Sequence, residues 1–210
     1  MPDDPLLNRR PLASREIGLM RRLAAWLTRA GATPNQISVA GIVFALIAGL
    51  ALLRAGGGWA AGWLIGLVFI QARLLANLLD GLVAVEGGRG TALGPLYNEV
   101  PDRVEDTAII AAFGVAAGWP VLGVWAALLA VGCAYVRQLG GALGQRQSFI
   151  GPMAKQHRMA ALSLGCLAGF GEAVAGSGMG LAGLVLWAVL LGSLVTIARR
   201  LRAIAQGLLP

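Results

Sequence analysis

Residues 77–102 read NLLDGLVAVEGGRGTALGPLYNEVPD, a stretch that places acidic side chains within a strongly apolar chain. Hydrophobic residues make up 57% of the 210 residues, charged residues make up 13%, and the mean hydropathy is +0.73. An average soluble domain contains about 25% charged residues. The composition therefore predicts an integral membrane protein, and Asp80 and Asp102 need an explanation in that setting.

Six apolar runs have about 20 residues each, the length that crosses a hydrocarbon core of about 30 Å. Their borders are marked by charged residues, Gly or Pro, and they lie near residues 36–54, 59–82, 97–117, 120–142, 157–175 and 179–198. Lys and Arg gather before the first run, between the fourth and fifth, and after the sixth. The positive-inside rule then predicts that both termini are cytoplasmic. We expect an all-α fold, a polytopic membrane protein with six transmembrane helices.

The segment before the first run predicts an amphipathic helix in the cytoplasmic interface. In SREIGLMRRLAAWLTRAG, residues 14–31, apolar residues recur at helical spacing on one face and arginines lie mostly on the other. Ser14 is a suitable N-cap, and no cleavable signal peptide is expected near Met1. The expected organisation is an N-terminal segment at 1–32, a six-helix catalytic domain at 33–200 and a cytoplasmic tail at 201–210.

The net charge of +7 is explained by the position of the basic residues relative to the membrane. Basic residues on the predicted cytoplasmic side attract anionic lipid headgroups. We therefore expect membrane lipids, and not nucleic acid, as partners of these residues.

Most of the acidic residues lie close together in the sequence. Ionised carboxylates at the centre of a membrane helix cost about 2.5 to 3.5 kcal/mol each, so they are normally paired, bound to metal or exposed to a wet cavity. We expect a functional site at Asp80 and Asp102. For Glu86, Glu105 and Asp106, solvated loop charges or pairing with nearby arginines is an equal alternative. The six acidic residues of this stretch are Asp80, Glu86, Glu99, Asp102, Glu105 and Asp106.

The spacing of the polar residues predicts a metal site. Asn77 and Asp80 are three residues apart, and Asn98 and Asp102 are four apart, so each pair shares one helix face. Two antiparallel helices joined by a short turn bring such faces together. Two carboxylates and two amide oxygens form a set of hard ligands suited to Mg²⁺ or Mn²⁺. Small residues, Gly81 among them, leave room for a phosphate-bearing ligand beside these helices.

These residues resemble the signature of the CDP-alcohol phosphatidyltransferase family. The family pattern is DxxDGxxAR, eight residues, then GxxxDxxxD, and its intervals are matched by Asn77, Asp80, Gly81, Ala84, Gly94, Asn98 and Asp102. The interfacial helix, the Thr-Pro-Asn at 33–35 and the six-span plan also resemble the family. Its members transfer a substituted phosphate group from a CDP-linked donor such as CDP-diacylglycerol to an alcohol acceptor and release CMP.

The resemblance implies particular roles for the matching residues. Asp80 would anchor one or two Mg²⁺ or Mn²⁺ ions, and Asp102 would be the base or a second anchor. Asn77 and Asn98 would add neutral ligands, while Gly81, Ala84 and Gly94 would border the donor. The resemblance also implies a homodimer in a bacterial inner membrane.

Three positions depart from the family pattern. Asn77 and Asn98 stand where the family has aspartate, and Val85 stands where it has arginine. Two negative charges are therefore missing, which should weaken a second cation most. The candidates to compensate are Glu99 or Asp106 for the charge and as metal ligand, and Arg89 for the arginine.

A second basic group, GPMAKQHRM at 151–159, begins the fifth predicted span. Lys155 and Arg158 are candidates to bind a phosphate of the donor or acceptor. Positive-inside bias explains the same two residues equally well.

Two alternatives belong to other functional classes. One is a catalytically retired family member that binds lipid or stabilises a partner protein. The other is a small transporter, whose carboxylates are expected nearer to the bilayer midplane. An absence of metal-dependent CMP release would favour the first alternative, and counterion-dependent flux in liposomes would favour the second.

Overall fold

The structure, a computed structural model, describes residues 18–86 and 94–209. Those residues form helices and the connections between them, and they contain no strand. The expected all-α class is therefore confirmed. The helices are α1 (Gly18–Arg29), α2 (Pro34–Gly56), α3 (Ala61–Glu86), α4 (Gly94–Ala116), α5 (Pro120–Ala142), α6 (Lys155–Ala175) and α7 (Leu181–Leu208).

Each of the six predicted spans coincides with one of the helices α2 to α7, and α7 continues beyond the predicted end at 198. Among the described residues, α2, α3, α5, α6 and α7 are long and apolar enough to cross a membrane. With these helices the chain is an integral membrane protein. The helix α4 does not meet the same standard because its sequence, GPLYNEVPDRVEDTAIIAAFGVA, contains five charged residues.

The turn before α2 is fixed by its sequence. Thr33 Oγ1 accepts a hydrogen bond from the Gln36 backbone N–H, and Gln36 Oε1 accepts one from the Thr33 N–H. This reciprocal capping satisfies two of the N–H groups that a helix start leaves unpaired. Pro34 stands at the first helical position, where its missing N–H costs nothing.

The helix α1 lies against the end of α3 that carries Asp80. Its Ala24 is buried, and Met20, Leu23 and Leu27 pack on a cluster that includes Leu82. Arginines of α1 remain exposed on the opposite face. The predicted apolar face is thus used in packing, whereas Ser14 and the rest of the predicted helix start lie outside the described residues.

The helices α4 and α5 approach each other through two glycines. A Cβ added to Gly114 would lie 2.5 Å from Gly123 Cα and 3.1 Å from the Trp119 carbonyl oxygen. Both obstacles are backbone atoms, which cannot move aside as a flexible side chain can. This close approach holds α4, and with it Asp102, in place against the rest of the bundle.

The variant Gly114→Ala is therefore expected to lower the thermal unfolding midpoint by about 5 °C, since overpacking of a core costs about 1 to 3 kcal/mol. The matched control is Gly171→Ala, because a Cβ at Gly171 in α6 would meet nothing within 4 Å. That control should leave the midpoint unchanged or raise it slightly, as alanine favours helix over glycine. Equal midpoints for the two variants would show that the glycine contact does not restrain α4.

Candidate functional site

The polar faces of α3 and α4 meet, as their spacing predicts. Asn77 on α3 donates a hydrogen bond from Nδ2 to Asp102 Oδ1 on α4, at 2.5 Å. Asp80, one helical turn further along α3, is within electrostatic range of Asp102. Asn98 lies one turn before Asp102 on α4 and is half-buried. The four positions of the predicted metal site therefore lie on the two helix faces that adjoin here.

Asp80 is buried, with 3% of its surface exposed. Its Oδ2 accepts a hydrogen bond from Ser38 Oγ of α2 at 2.8 Å. The Gly81 backbone N–H also stabilises the carboxylate, whereas Oδ1 accepts no hydrogen bond from a side chain of the described residues. A buried carboxylate oxygen that lacks such a partner is costly unless a ligand or cation completes it, so Asp80 is the residue best placed to bind one.

Asp102 differs from Asp80, because cations contact both of its oxygens. Arg73 Nη2 lies 2.9 Å from Oδ1, and Lys155 Nζ lies 2.5 Å from Oδ2. Arg103 approaches Oδ2 at 3.5 Å. These contacts hold the carboxylate in a fixed orientation.

Arg73 is fully buried in α3 and contacts three carboxylates of α4. Besides Asp102, its Nε donates a hydrogen bond to Glu105 Oε2 at 2.5 Å, and its Nη1 lies 2.7 Å from Asp106 Oδ1. Residues three and four apart on α4 share a face, so one guanidinium reaches all three. The alternative that Glu105 and Asp106 are solvated loop charges is wrong, because both are buried, 4% and 3% exposed.

Sequence reasoning missed Arg73 and Ser38. The signal for Arg73 was present, since it is an arginine inside the apolar run that precedes Asn77, and a charge in such a run normally marks a function or a partner. Ser38 gave no comparable signal, because serine is common in helices of all kinds. Its contact with Asp80 spans 42 positions of the chain.

Lys155 and Arg158 stand in the first turn of α6 and both reach α4. Arg158 Nη2 lies 3.3 Å from Asp106 Oδ2, and its Nη1 donates a hydrogen bond to the Met153 carbonyl at 2.8 Å. Thr196 of α7 accepts a hydrogen bond from the Met153 N–H at 2.9 Å. The turn before α6 is therefore tied to α7, which fixes the position of Lys155 against Asp102.

The remaining predicted residues lie at the edge of this cluster. Glu99 is partly exposed, and its oxygens contact Arg137 Nη2 of α5 at 2.6 Å and Arg103 Nη2 at 3.2 Å. These two cations, rather than Asp80, are its neighbours. Gly81 and Ala84 follow Asp80 on α3, Gly94 begins α4, and Val85 is half-exposed. Arg89 lies outside the described residues.

The described residues do not form a full set of charged ligands for a divalent cation, but they suit a cation that is held partly by substrate and water. Within the described residues, no three Asp, Glu, His or Cys side chains are grouped so that they could hold a metal ion. Mg²⁺, however, is usually bound by one or two carboxylates together with waters and substrate phosphates. The buried Oδ1 of Asp80 suits that mode of binding.

The chain is similar to named proteins along much of its length. It is 37% identical over 95 residues to phosphatidylinositol phosphate synthase of Mycolicibacterium smegmatis, a match that covers 45% of this chain and 40% of that protein, so less than half of that relative is spanned. It is 30% identical over 144 residues to inner membrane protein YnbA of Escherichia coli, covering 67% of this chain and 69% of that protein. A phosphatidylinositol phosphate synthase of Mycobacteroides abscessus is 29% identical over 196 residues, a match that covers 87% of this chain and 81% of that protein. No family model matches the chain.

The fold is that of phosphatidylinositol phosphate synthase from Mycobacterium tuberculosis. Its crystal structure in complex with manganese and citrate superposes with a TM-score of 0.69 at 20% identity, covering 88% of each chain. The structure with CDP-DAG bound gives a TM-score of 0.68 at 21% identity, covering 89% of this chain and 93% of that chain. The helix bundle and its apolar spans define an integral membrane protein of this fold. The chain belongs to the CDP-alcohol phosphatidyltransferase family.

Proposed function

We propose that the chain is a phosphotransferase of phospholipid biosynthesis, which moves a phosphatidyl group from CDP-diacylglycerol to an alcohol and releases CMP. The observation that carries the proposal is the meeting of α3 and α4, where Asp80 keeps a buried oxygen that accepts no hydrogen bond from a side chain of the described residues. Family membership supports the reaction type, and the names of two relatives and the CDP-DAG in a solved structure of the same fold support the donor.

Asp80 is the proposed anchor of a divalent cation, Mg²⁺ or Mn²⁺, with Asn77 and Asn98 as neutral ligands. The manganese in a structure of the same fold supports this assignment. When bound, such an ion neutralises diphosphate oxygens and stabilises the departing CMP. Gly81, Ala84 and Gly94 leave the helix surfaces low, so that the donor can lie against them.

Asp102 is the proposed base. In the transfer, the alcohol oxygen bonds to the phosphorus of the phosphatidyl group, the bond from that phosphorus to CMP breaks, and the alcohol proton passes to Asp102. Arg73 and Lys155 contact this carboxylate and fix its position. Position is what matters most here, because the transition state of phosphoryl transfer is loose and the protein contributes mainly position and charge neutralisation.

The proposed acceptor is an alcohol that itself bears a phosphate. Arg103, Arg137 and Lys155 lie near each other through their shared contacts with Glu99 and Asp102, and all three are partly accessible. Guanidinium and ammonium groups are the usual partners of phosphate oxygens. The relatives named phosphatidylinositol phosphate synthase support an inositol phosphate as the first acceptor to test.

The membrane arrangement is part of the same proposal. The helix α4 would be the sixth span, since its charged residues are paired inside the bundle, and α1 would lie in the interface with both termini and the site cytoplasmic. The name of the Escherichia coli relative supports a bacterial inner membrane. The boundaries at 32 and 200 and the homodimer stay predictions, the homodimer resting on the family resemblance alone.

The test is CMP release by the purified chain from CDP-diacylglycerol, with Mg²⁺, Mn²⁺ or EDTA, across a panel of inositol phosphate, glycerol phosphate, serine and inositol. We expect release that needs metal and is fastest with a phosphate-bearing acceptor. Lys155→Met should raise the KM for that acceptor by about 10-fold or more, as a charged hydrogen bond contributes about 1.5 to 3 kcal/mol. If well-folded protein releases no CMP with any acceptor of the panel, the retired family member would be favoured instead.

A further inference from the structure

The charged side chains that the structure describes around the site balance one another before any metal ion is added. Within the described residues, five acidic side chains meet five basic ones here, and every one except Asp80 takes part in an ion pair. They are Asp80, Glu99, Asp102, Glu105 and Asp106, and Arg73, Arg103, Arg137, Lys155 and Arg158. One divalent ion would bring the charge to about +2, which a diphosphate of about −2 neutralises. A second ion would leave about +2 unbalanced in a buried site.

The two asparagines make this ligand set less negative than a set of four aspartates. Asn77 and Asn98 withdraw two negative charges from the ligand set, which is the charge of one divalent ion. The lost charge is not restored by Glu99, because Arg103 and Arg137 contact its oxygens.

Arg73 already contacts the carboxylates that a second ion would need as ligands. Its guanidinium lies 2.9 Å from Asp102 Oδ1 and also contacts Glu105 and Asp106. With Lys155 on Oδ2, both oxygens of Asp102 already face a cation, so a second dication would have to displace one of them. By contrast, Asp80 Oδ1 accepts no hydrogen bond from a side chain of the described residues.

We infer that the chain binds a single divalent cation, anchored by Asp80, and that the Arg73 guanidinium supplies the neutralisation for which a second ion would otherwise be required. This inference rests on the proposed function for the role of the ion, and it concerns how many ions the site holds. Arg73 is a positioning residue, because it is fully buried and acts through Asp102.

The experiment counts Mn²⁺ bound to the purified chain in lipid nanodiscs, with and without CDP-diacylglycerol, by electron paramagnetic resonance. We expect one Mn²⁺ per chain, with the spectrum of an isolated ion. Asp80→Asn should weaken that binding beyond the roughly 10- to 100-fold loss typical of residues outside the ligand set. Two ions per chain, magnetically coupled, or no bound ion at all, would overturn the inference.

The variant Arg73→Gln frees the carboxylates of α4 and should bring the count to two, while Arg73→Lys should keep it at one. Arg103→Gln is the matched control, since Arg103 also approaches Asp102 but is partly exposed, and its count should stay at one. A folded Arg73→Gln variant that still binds one ion contradicts the role of Arg73. If that variant does not fold, the counts for the unaltered chain and for Arg73→Lys decide the matter.

The count is read without turnover, so it separates this inference from the proposed function. One bound ion without CMP release from any acceptor would leave the inference standing and remove the proposed function. CMP release with two bound ions would support the proposed function and overturn the inference.

Discussion

Asp80→Asn should reduce CMP release by about 1,000-fold while the protein stays folded. Removing one group that stabilises charge in a transition state costs about 10²- to 10³-fold in rate, and Asp80 is here the proposed anchor of the ion as well. Its hydrogen bond from Ser38 can be kept by the asparagine oxygen, so little stability should be lost. The measurement is the initial rate of CMP release at saturating donor and acceptor, beside the unfolding midpoint.

The control is Glu172→Gln, the same acid-to-amide change near the opposite end of α6 from Lys155. Glu172 accepts a hydrogen bond from the Leu181 N–H and lies 17 residues, or about 25 Å of helix, from Lys155. Its rate should remain within about twofold of the unaltered chain, since nothing at the site changes. An Asp80→Asn variant as active as this control would remove Asp80 from the mechanism.

Arg73→Met should lower stability by about 3 to 5 kcal/mol, the loss expected when one partner of a buried ion pair is removed and the other charges are left uncompensated. Here Asp102, Glu105 and Asp106 all lose this partner, and Glu105 keeps no other ion pair among the described residues. For a chain of this size, the unfolding midpoint should fall by roughly 10 °C. Thermal unfolding in detergent, followed by loss of the monodisperse peak in size-exclusion chromatography, measures the change.

Arg103→Met provides the comparison, because Arg103 contacts the same Asp102 from a partly exposed position. Exposed ion pairs contribute about 0 to 1 kcal/mol, so its midpoint should fall by no more than about 3 °C. Arg73→Lys should recover part of the loss, since it retains one charge but cannot reach three carboxylates at once. Equal midpoints for Arg73→Met and Arg103→Met would mean that the buried cluster does not stabilise the bundle.

The helices were predictable because each one is a physical unit that can be recognised in the sequence. Apolar runs of membrane-spanning length predicted α2, α3, α5, α6 and α7, and the capping residues Thr33 and Gln36 mark the start of α2. The helix α4 was predicted although it is more charged than a typical span. Three of its charges, those of Asp102, Glu105 and Asp106, are paired with α3 or α6 inside the bundle. Glu99 is partly exposed and is paired with Arg137 of α5.

The candidate site was predictable only where its residues are close in sequence. Helical spacing placed Asn77 with Asp80 and Asn98 with Asp102, and the family pattern joined the two pairs. The partners of Asp80 and Asp102 come from distant positions, Ser38 and Lys155 among them, and no local pattern specifies such contacts. Arg73 shows the limit most clearly, because its presence in an apolar run indicated a partner but could not indicate which one.

We propose that this chain transfers a phosphatidyl group in a reaction that depends on Asp80. This can be tested by mass spectrometry of the lipids after the purified chain acts on CDP-diacylglycerol and inositol phosphate with Mn²⁺, beside Asp80→Asn and a sample with EDTA. We expect a new lipid whose mass joins the phosphatidyl group to the acceptor, equal in amount to the CMP released, and absent from the variant and the EDTA sample. Unchanged CDP-diacylglycerol with every acceptor of the panel, from a folded protein that binds the donor, would contradict it.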